Sequence, residues 1–201
     1  MSFQHLEISR QRKFIEGSSE NDWESIICSR DLGHQRAGRR LTDLFLDILT
    51  WNVMDFSRTM LSDVVITDHA LEVFRDAGLT GFTVKPTQVS KCPARVDGSH
   101  LPPLWELIPT GTAGAAHKDS GIVELHRCDV CGLVRHSSFK NGIVVNQETY
   151  DGSDFFTVLE YPKYVLVSPR AKLAMEKNYL SNVTFKDATK LLWPKGVTEP
   201  G

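Results

Sequence analysis

Two stretches of the chain carry the same order of apolar and polar positions. Residues 64–85 read VVITDHALEVFRDAGLTGFTVK and residues 165–186 read VLVSPRAKLAMEKNYLSNVTFK, aligned without a gap at an offset of 101. Each opens with three apolar residues, Val64, Val65 and Ile66 or Val165, Leu166 and Val167, which predict a short buried strand. A hydroxyl residue follows, Thr67 or Ser168, placed to cap a helix. Pro169 then takes the first helical position, where its missing N–H is not needed. Ala70, Leu71, Phe74 and Ala77 recur at helical spacing, as do Ala171, Ala174 and Met175. Gly78 stops the first helix, since only Gly adopts the left-handed position without strain, and Asn178 is placed to stop the second. Residues 82–84, and Val183 with Phe185, return as strands. An Asp-Phe pair precedes each copy, Asp55-Phe56 and Asp154-Phe155.

Elsewhere the pattern is less regular. Leu41, Leu44, Phe45, Ile48 and Leu49 fit a short amphipathic helix over residues 41–50, with a strand as the alternative. Residues 1–20 are polar and of mixed charge, which predicts loose order at the start. Residues 93–120 are rich in Pro, Gly, Ala, Ser and Thr around one apolar run, residues 104–108, read as a strand between loops. A unit of this kind cannot bury its apolar face alone, so the two copies are expected to share one core. The expected fold is α+β. Strand–helix–strand units at about 52–90 and 150–190 flank an insert at about 91–149, within one domain spanning 1–201.

Composition narrows the function. With 201 residues, 41% hydrophobic, the chain can build a sizeable core. A net charge of −2 supplies no general field toward nucleic acid or anionic lipid. No apolar run reaches membrane-span length, and the first residues carry no secretory pattern, so a cytoplasmic location is expected. Four cysteines at irregular spacing do not form a disulfide framework.

Two of them form Cys128-x-x-Cys131-Gly132, a zinc-knuckle sequence whose tight turn aims both sulfurs at one ion. A thioredoxin-like redox pair would want a helix directly after the motif. Here Gly132, Leu133 and Val134 suit the second arm of a hairpin better. Two unligated thiols are the remaining reading. A structural zinc needs four ligands. Cys28 is the preferred third, followed by Asp31 where a second knuckle would place cysteine, with His34 the alternative fourth. Cys92 competes for the third position, and His126 and His136 flank the knuckle.

These residues resemble the bacterial double-CxxCG motif family of immunity proteins, which protect cells from toxins delivered by kin. The order of motifs is similar from about residue 52 to 186: a segment like residues 70–81, a proline-led strand like 102–108, the knuckle 128–132, then 153–156 leading to 165–168. The departure is at the front, where Asp31 replaces the second cysteine and Gly33 is shifted by one. The resemblance implies a non-enzymatic protein that neutralises a cognate toxin by direct binding, with charge complementarity speeding association. The acidic stretch 16–24 and the loop 150–154 are candidate surface.

Two rival functions remain. No nucleophile elbow, phosphate-binding Gly loop or HExxH helix is present, and the proximity of His117, Asp119 and Ser120 in sequence is not triad geometry. A zinc-ribbon nucleic-acid-binding or regulatory module would draw on Arg127, Arg135, His136 and Lys140, or on Arg36, Arg39 and Arg40.

Overall fold

The strands and helices are set by the alternation of buried and exposed positions. The computed structural model describes residues 2–9, 14–93 and 101–193; part of the loop-rich stretch 93–120 lies outside these. In the first half β6 (Phe56–Arg58) and β7 (Val64–Thr67) lead into α1 (Asp68–Asp76), and β8 (Phe82–Lys91) returns. In the second half β13 (Phe155–Thr157) and β14 (Leu166–Val167) lead into α2 (Pro169–Lys177), and β15 (Val183–Asp187) returns. Thr67 and Ser168 cap the two helices, accepting from the N–H of Ala70 at 3.3 Å and of Ala171 at 3.1 Å. Ala70, Leu71 and Phe74 are buried on α1, Ala171 and Met175 on α2. The architecture is α+β: mixed sheets with two helices that pack against each other.

Each half lends a strand to the other. β1 (Gln4–Ile8) lies between β14 and β15, and β9 (Leu104–Pro109) lies between β7 and β8, all antiparallel. The registers correspond. Gln4 pairs with Val167 and Asp187, and Trp105 pairs with Ile66 and Pro86, every residue of one set 101 positions from its counterpart. The first half extends to six strands with β2 (Ile15–Gly17) and β5 (Leu44–Ile48), and the second to five with β10 (Gly111–Thr112).

Three expectations are corrected. Residues 44–48 form a strand, not a helix. Leu44, Leu46 and Ile48 are buried in alternation, while Leu41 and Leu49, which completed the helical spacing, are exposed. The polar N-terminal stretch supplies β1 and β2, ordered because β1 is paired on both sides. The second helix takes its left-handed turn at Tyr179 (φ 54), one residue beyond Asn178, as the first does at Gly78 (φ 61).

Aromatic rings meet within the largely aliphatic core between the halves. Phe74 of α1 meets Phe155 at 4.9 Å between ring centroids and Phe82 at 5.4 Å, and Phe82 meets Phe155 at 5.2 Å. Phe74 and Phe155 are fully buried, and their contact crosses from one half to the other. Truncating either to Ala costs about 3–5 kcal/mol at a site packed this closely.

Candidate metal centre

Two hairpins approach each other from the two halves. The first is β3 (Trp23–Ile26) with β4 (Arg36–Arg40), and the second is β11 (Glu124–Arg127) with β12 (Val134–His136), both antiparallel. Each turn holds cysteine. In the second, Cys128 N–H donates to Leu133 O at 2.8 Å and Gly132 N–H to Cys128 O at 2.9 Å, closing the knuckle. Gly132 leaves it at φ 68, in the left-handed region that favours glycine.

The first turn reaches the same end differently. Asp31 accepts from Gly33 N–H at 2.8 Å and starts a single 3-10 turn, Leu32–His34. That turn brings His34 to the position a second cysteine would hold. Cys28, His34, Cys128 and Cys131 gather with their ligand atoms all within 4.8 Å of one another. Cys28 Sγ lies 3.8 Å from Cys128 Sγ, and Cys131 Sγ lies 3.8 Å from His34 Nδ1. Sulfurs bound at about 2.3 Å to one tetrahedral ion stand about 3.8 Å apart, so the spacing suits a metal. Cys28, His34 and Cys128 are buried and Cys131 is half-buried.

The predicted residues therefore divide. Cys128, Cys131, Cys28 and His34 come together. Asp31 takes a different place, 3.4 Å from Nε2 of His34, whereas Cys131 Sγ faces the other ring nitrogen, Nδ1, at 3.8 Å. A carboxylate beside Nε2 favours the tautomer protonated there, the one that offers Nδ1 to a metal. Cys92 packs instead beside the apolar cluster of Phe14, Leu44 and Leu46. His126 stacks obliquely on His34, ring centroids 5.0 Å apart, and His136 sits opposite Glu124 in the hairpin.

One residue that the sequence did not mark as part of the site belongs to it. Arg36 donates from Nη1 to Cys131 Sγ at 3.5 Å and from Nη2 to Cys131 O at 2.8 Å. This guanidinium is the foremost cause holding the Cys131 thiol down at about 6, well below a free cysteine. Burial pushes the Cys28 thiol the other way, up. The sequence marks Arg36 only as a member of a basic cluster; its spacing two residues after His34 is the available signal. At the tips of the turns, Arg30 Nη2 donates to Asp129 Oδ2 at 3.2 Å, a second tie between the hairpins.

A separate cleft of about 400 Å³ lies where the halves meet, lined by Trp23, Arg58, Asp63, Glu106 and Lys163 among others. Its two carboxylates are joined by the Arg40 guanidinium. Among the described residues no helix is long and apolar enough to cross a membrane. Neither a protein-family model nor a curated protein matches the chain.

Proposed function

We propose that this chain is an immunity-type protein that binds and neutralises a cognate bacterial toxin in the cytoplasm, on a scaffold closed by one structural zinc ion. The observation that carries the reading is the gathering of Cys28, His34, Cys128 and Cys131. Three sulfurs and one imidazole complete a tetrahedral zinc, leaving no open position for a substrate. Such a site contributes to folding and not to turnover. Cys28 and His34 come from the first hairpin and Cys128 and Cys131 from the second, so the ion clamps the two halves.

The corresponding registers of β1 and β9, and the matching caps and stops of α1 and α2, support a chain built from two copies of one unit with exchanged strands. The resemblance of motif order to the double-CxxCG immunity family points to a toxin as the partner. The alternative, a nucleic-acid-binding module, is disfavoured by how the basic residues near the turns are used. Arg30 is paired with Asp129, Arg127 with Glu124, and Arg36 with the Cys131 backbone and sulfur.

The test has two arms. Metal analysis of protein purified without chelator is expected to find one zinc per chain. Co-expression with the toxin-like product of the neighbouring gene in a sensitive host is expected to restore growth, and the purified pair to melt higher than the protein alone. A partner at one hundred times its dissociation constant stabilises the folded state by about 2.7 kcal/mol. Unchanged survival on deleting this chain overturns the toxin reading.

A further inference from the structure

We infer that Arg36 is the positioning residue of the metal centre, a side chain that locks ligand residues of both hairpins together and sets how firmly the ion is held. The inference rests on the metal reading above. Its geometry is independent of any ion. The guanidinium donates from Nη1 to the carbonyl of His34 at 3.2 Å and to the sulfur of Cys131 at 3.5 Å, and from Nη2 to the carbonyl of Cys131 at 2.8 Å. His34 is a ligand residue of the first turn and Cys131 of the second. A single planar cation therefore fixes the backbone of one ligand to the backbone and sulfur of another, across the seam between the halves.

Charge gives the same answer. Three thiolates and a neutral imidazole around a divalent ion leave one net negative charge on a centre that is largely buried. An uncompensated charge in such a place is costly, and a hydrogen-bonded counter-charge removes most of the cost. Arg36 supplies both. Arg30, at the exposed tips, directs its guanidinium to Asp129; its backbone N–H serves Cys28, and its side-chain charge reaches Cys28 and Cys128 only through space. Lysine could supply the charge but not the fork, since its ammonium is a point donor that cannot span two carbonyls and a sulfur in one plane.

The chemistry predicts two readouts. Outer partners of metal ligands change affinity by about 10–100-fold when removed. Arg36→Met is expected to speed transfer of Zn²⁺ to a chromogenic chelator by about that factor, and Arg36→Lys by a smaller one. Arg30→Met, the control at the other tie, is expected to leave the rate within a few-fold of the parent. In protein loaded with Co²⁺, loss of an N–H donor makes the Cys131 sulfur more electron-rich. The sulfur-to-cobalt charge-transfer band of Arg36→Met is expected to move to longer wavelength, a change that general loosening of the fold does not produce. If Arg36→Met does not fold, Arg36→Lys and Arg36→Gln carry the comparison. Metal-loaded Arg36 variants with parental transfer rates and an unmoved cobalt band overturn the assignment alone. A parent chain that takes up neither Zn²⁺ nor Co²⁺ overturns the metal reading and this assignment with it.

Discussion

Asp55 accepts both the backbone N–H and the hydroxyl of Ser181, each at 2.8 Å, although 126 residues separate them. The other Oδ of Asp55 accepts from Thr67, the cap of α1, at 2.8 Å. Asp154 repeats the arrangement in reverse. It accepts from the N–H and hydroxyl of Thr80 at 2.9 and 3.1 Å and from Ser168, the cap of α2, at 2.6 Å. Each carboxylate thus ties the start of its own helix to the loop after the other helix. His69 stands beside Asp55, and Arg170, 101 positions on from His69, stands beside Asp154, 99 on from Asp55.

These two latches are expected to carry more stability than ordinary helix caps. Asp154 is only 3% exposed, so its replacement strands several donors at once. Asp154→Ala is expected to destabilise by about 3 kcal/mol in urea unfolding, against about 1 kcal/mol for a simple cap. Burial alone raises the carboxyl pKa of Asp154, but the bonds from Arg170, Ser168 and Thr80 outweigh it and hold the value below the usual range. Asp55 is also held low, burial being outweighed by Ser181, His69 and Thr67. A depressed carboxyl contributes fully above its unfolded value near pH 4, and the contribution is lost as pH falls through the folded value. Acid unfolding below about pH 4 that is equally steep in Asp154→Asn overturns the latch.

A second acid-sensitive group acts earlier. His5 of β1 is buried, with Nδ1 lacking a hydrogen-bond partner among the described residues. Burial first, then the Arg58 charge, lower it from 6.5 to about 4. Its stability contribution is present above pH 6.5 and is lost as pH falls from there toward 4, because only the unfolded chain takes up the proton. Between pH 7 and 5 this amounts to about 2 kcal/mol. His5→Gln is expected to remove that part of the pH dependence, measured by urea unfolding at the two pH values. The same slope in the variant and the parent sinks the prediction.

Left-handed residues test the correspondence between the helix ends. Gly78 and Tyr179 both have positive φ, as do Gly81 and Asn182 three residues further on. A Cβ added at Gly78 would meet nothing within 4 Å, so Gly78→Ala isolates backbone strain. It is expected to cost about 1–2 kcal/mol. Tyr179, 89% exposed, already bears that strain, and Tyr179→Gly is expected to raise stability by about 0.5 kcal/mol after the entropic cost of glycine. Thermal melts of the two variants that shift in the same direction refute the equivalence.

Local signals carried much of this architecture. Thr67, Ser168, Pro169 and Gly78 each encode a cap or stop through their own chemistry, and both helices form where those residues place them. The knuckle at Cys128 was legible because two cysteines in one turn have few other uses. β1 was not legible, because Gln4, His5 and Glu7 give no apolar run and the strand is ordered by partners 160 or more residues away, such as Val167 and Asp187. Residues 44–48 misled because an apolar-rich run satisfies helical and strand spacing together, and only burial decides. Cys28 and His34 were readable as candidates, but choosing His34 over Asp31 required the 3-10 turn between them.

That choice yields the last prediction. If Asp31 orients His34 from its Nε2 side, 3.4 Å away, its removal weakens the metal without deleting a ligand. Asp31→Asn is expected to keep one zinc per chain while lowering affinity by about 10–100-fold. Cys28→Ser, His34→Ala and Cys128→Ser each delete a donor from the four, and each is expected to lose stoichiometric zinc after dialysis against a weak chelator. Because the donors come from both hairpins, these three variants should also melt lower than Asp31→Asn, and chelation of the parent should lower its melting temperature toward theirs. Competition titration against a zinc indicator, with melts of the same samples, checks both. A full loss of zinc in Asp31→Asn with His34→Ala still loaded reverses the assignment: the carboxylate is then the ligand and the imidazole its neighbour.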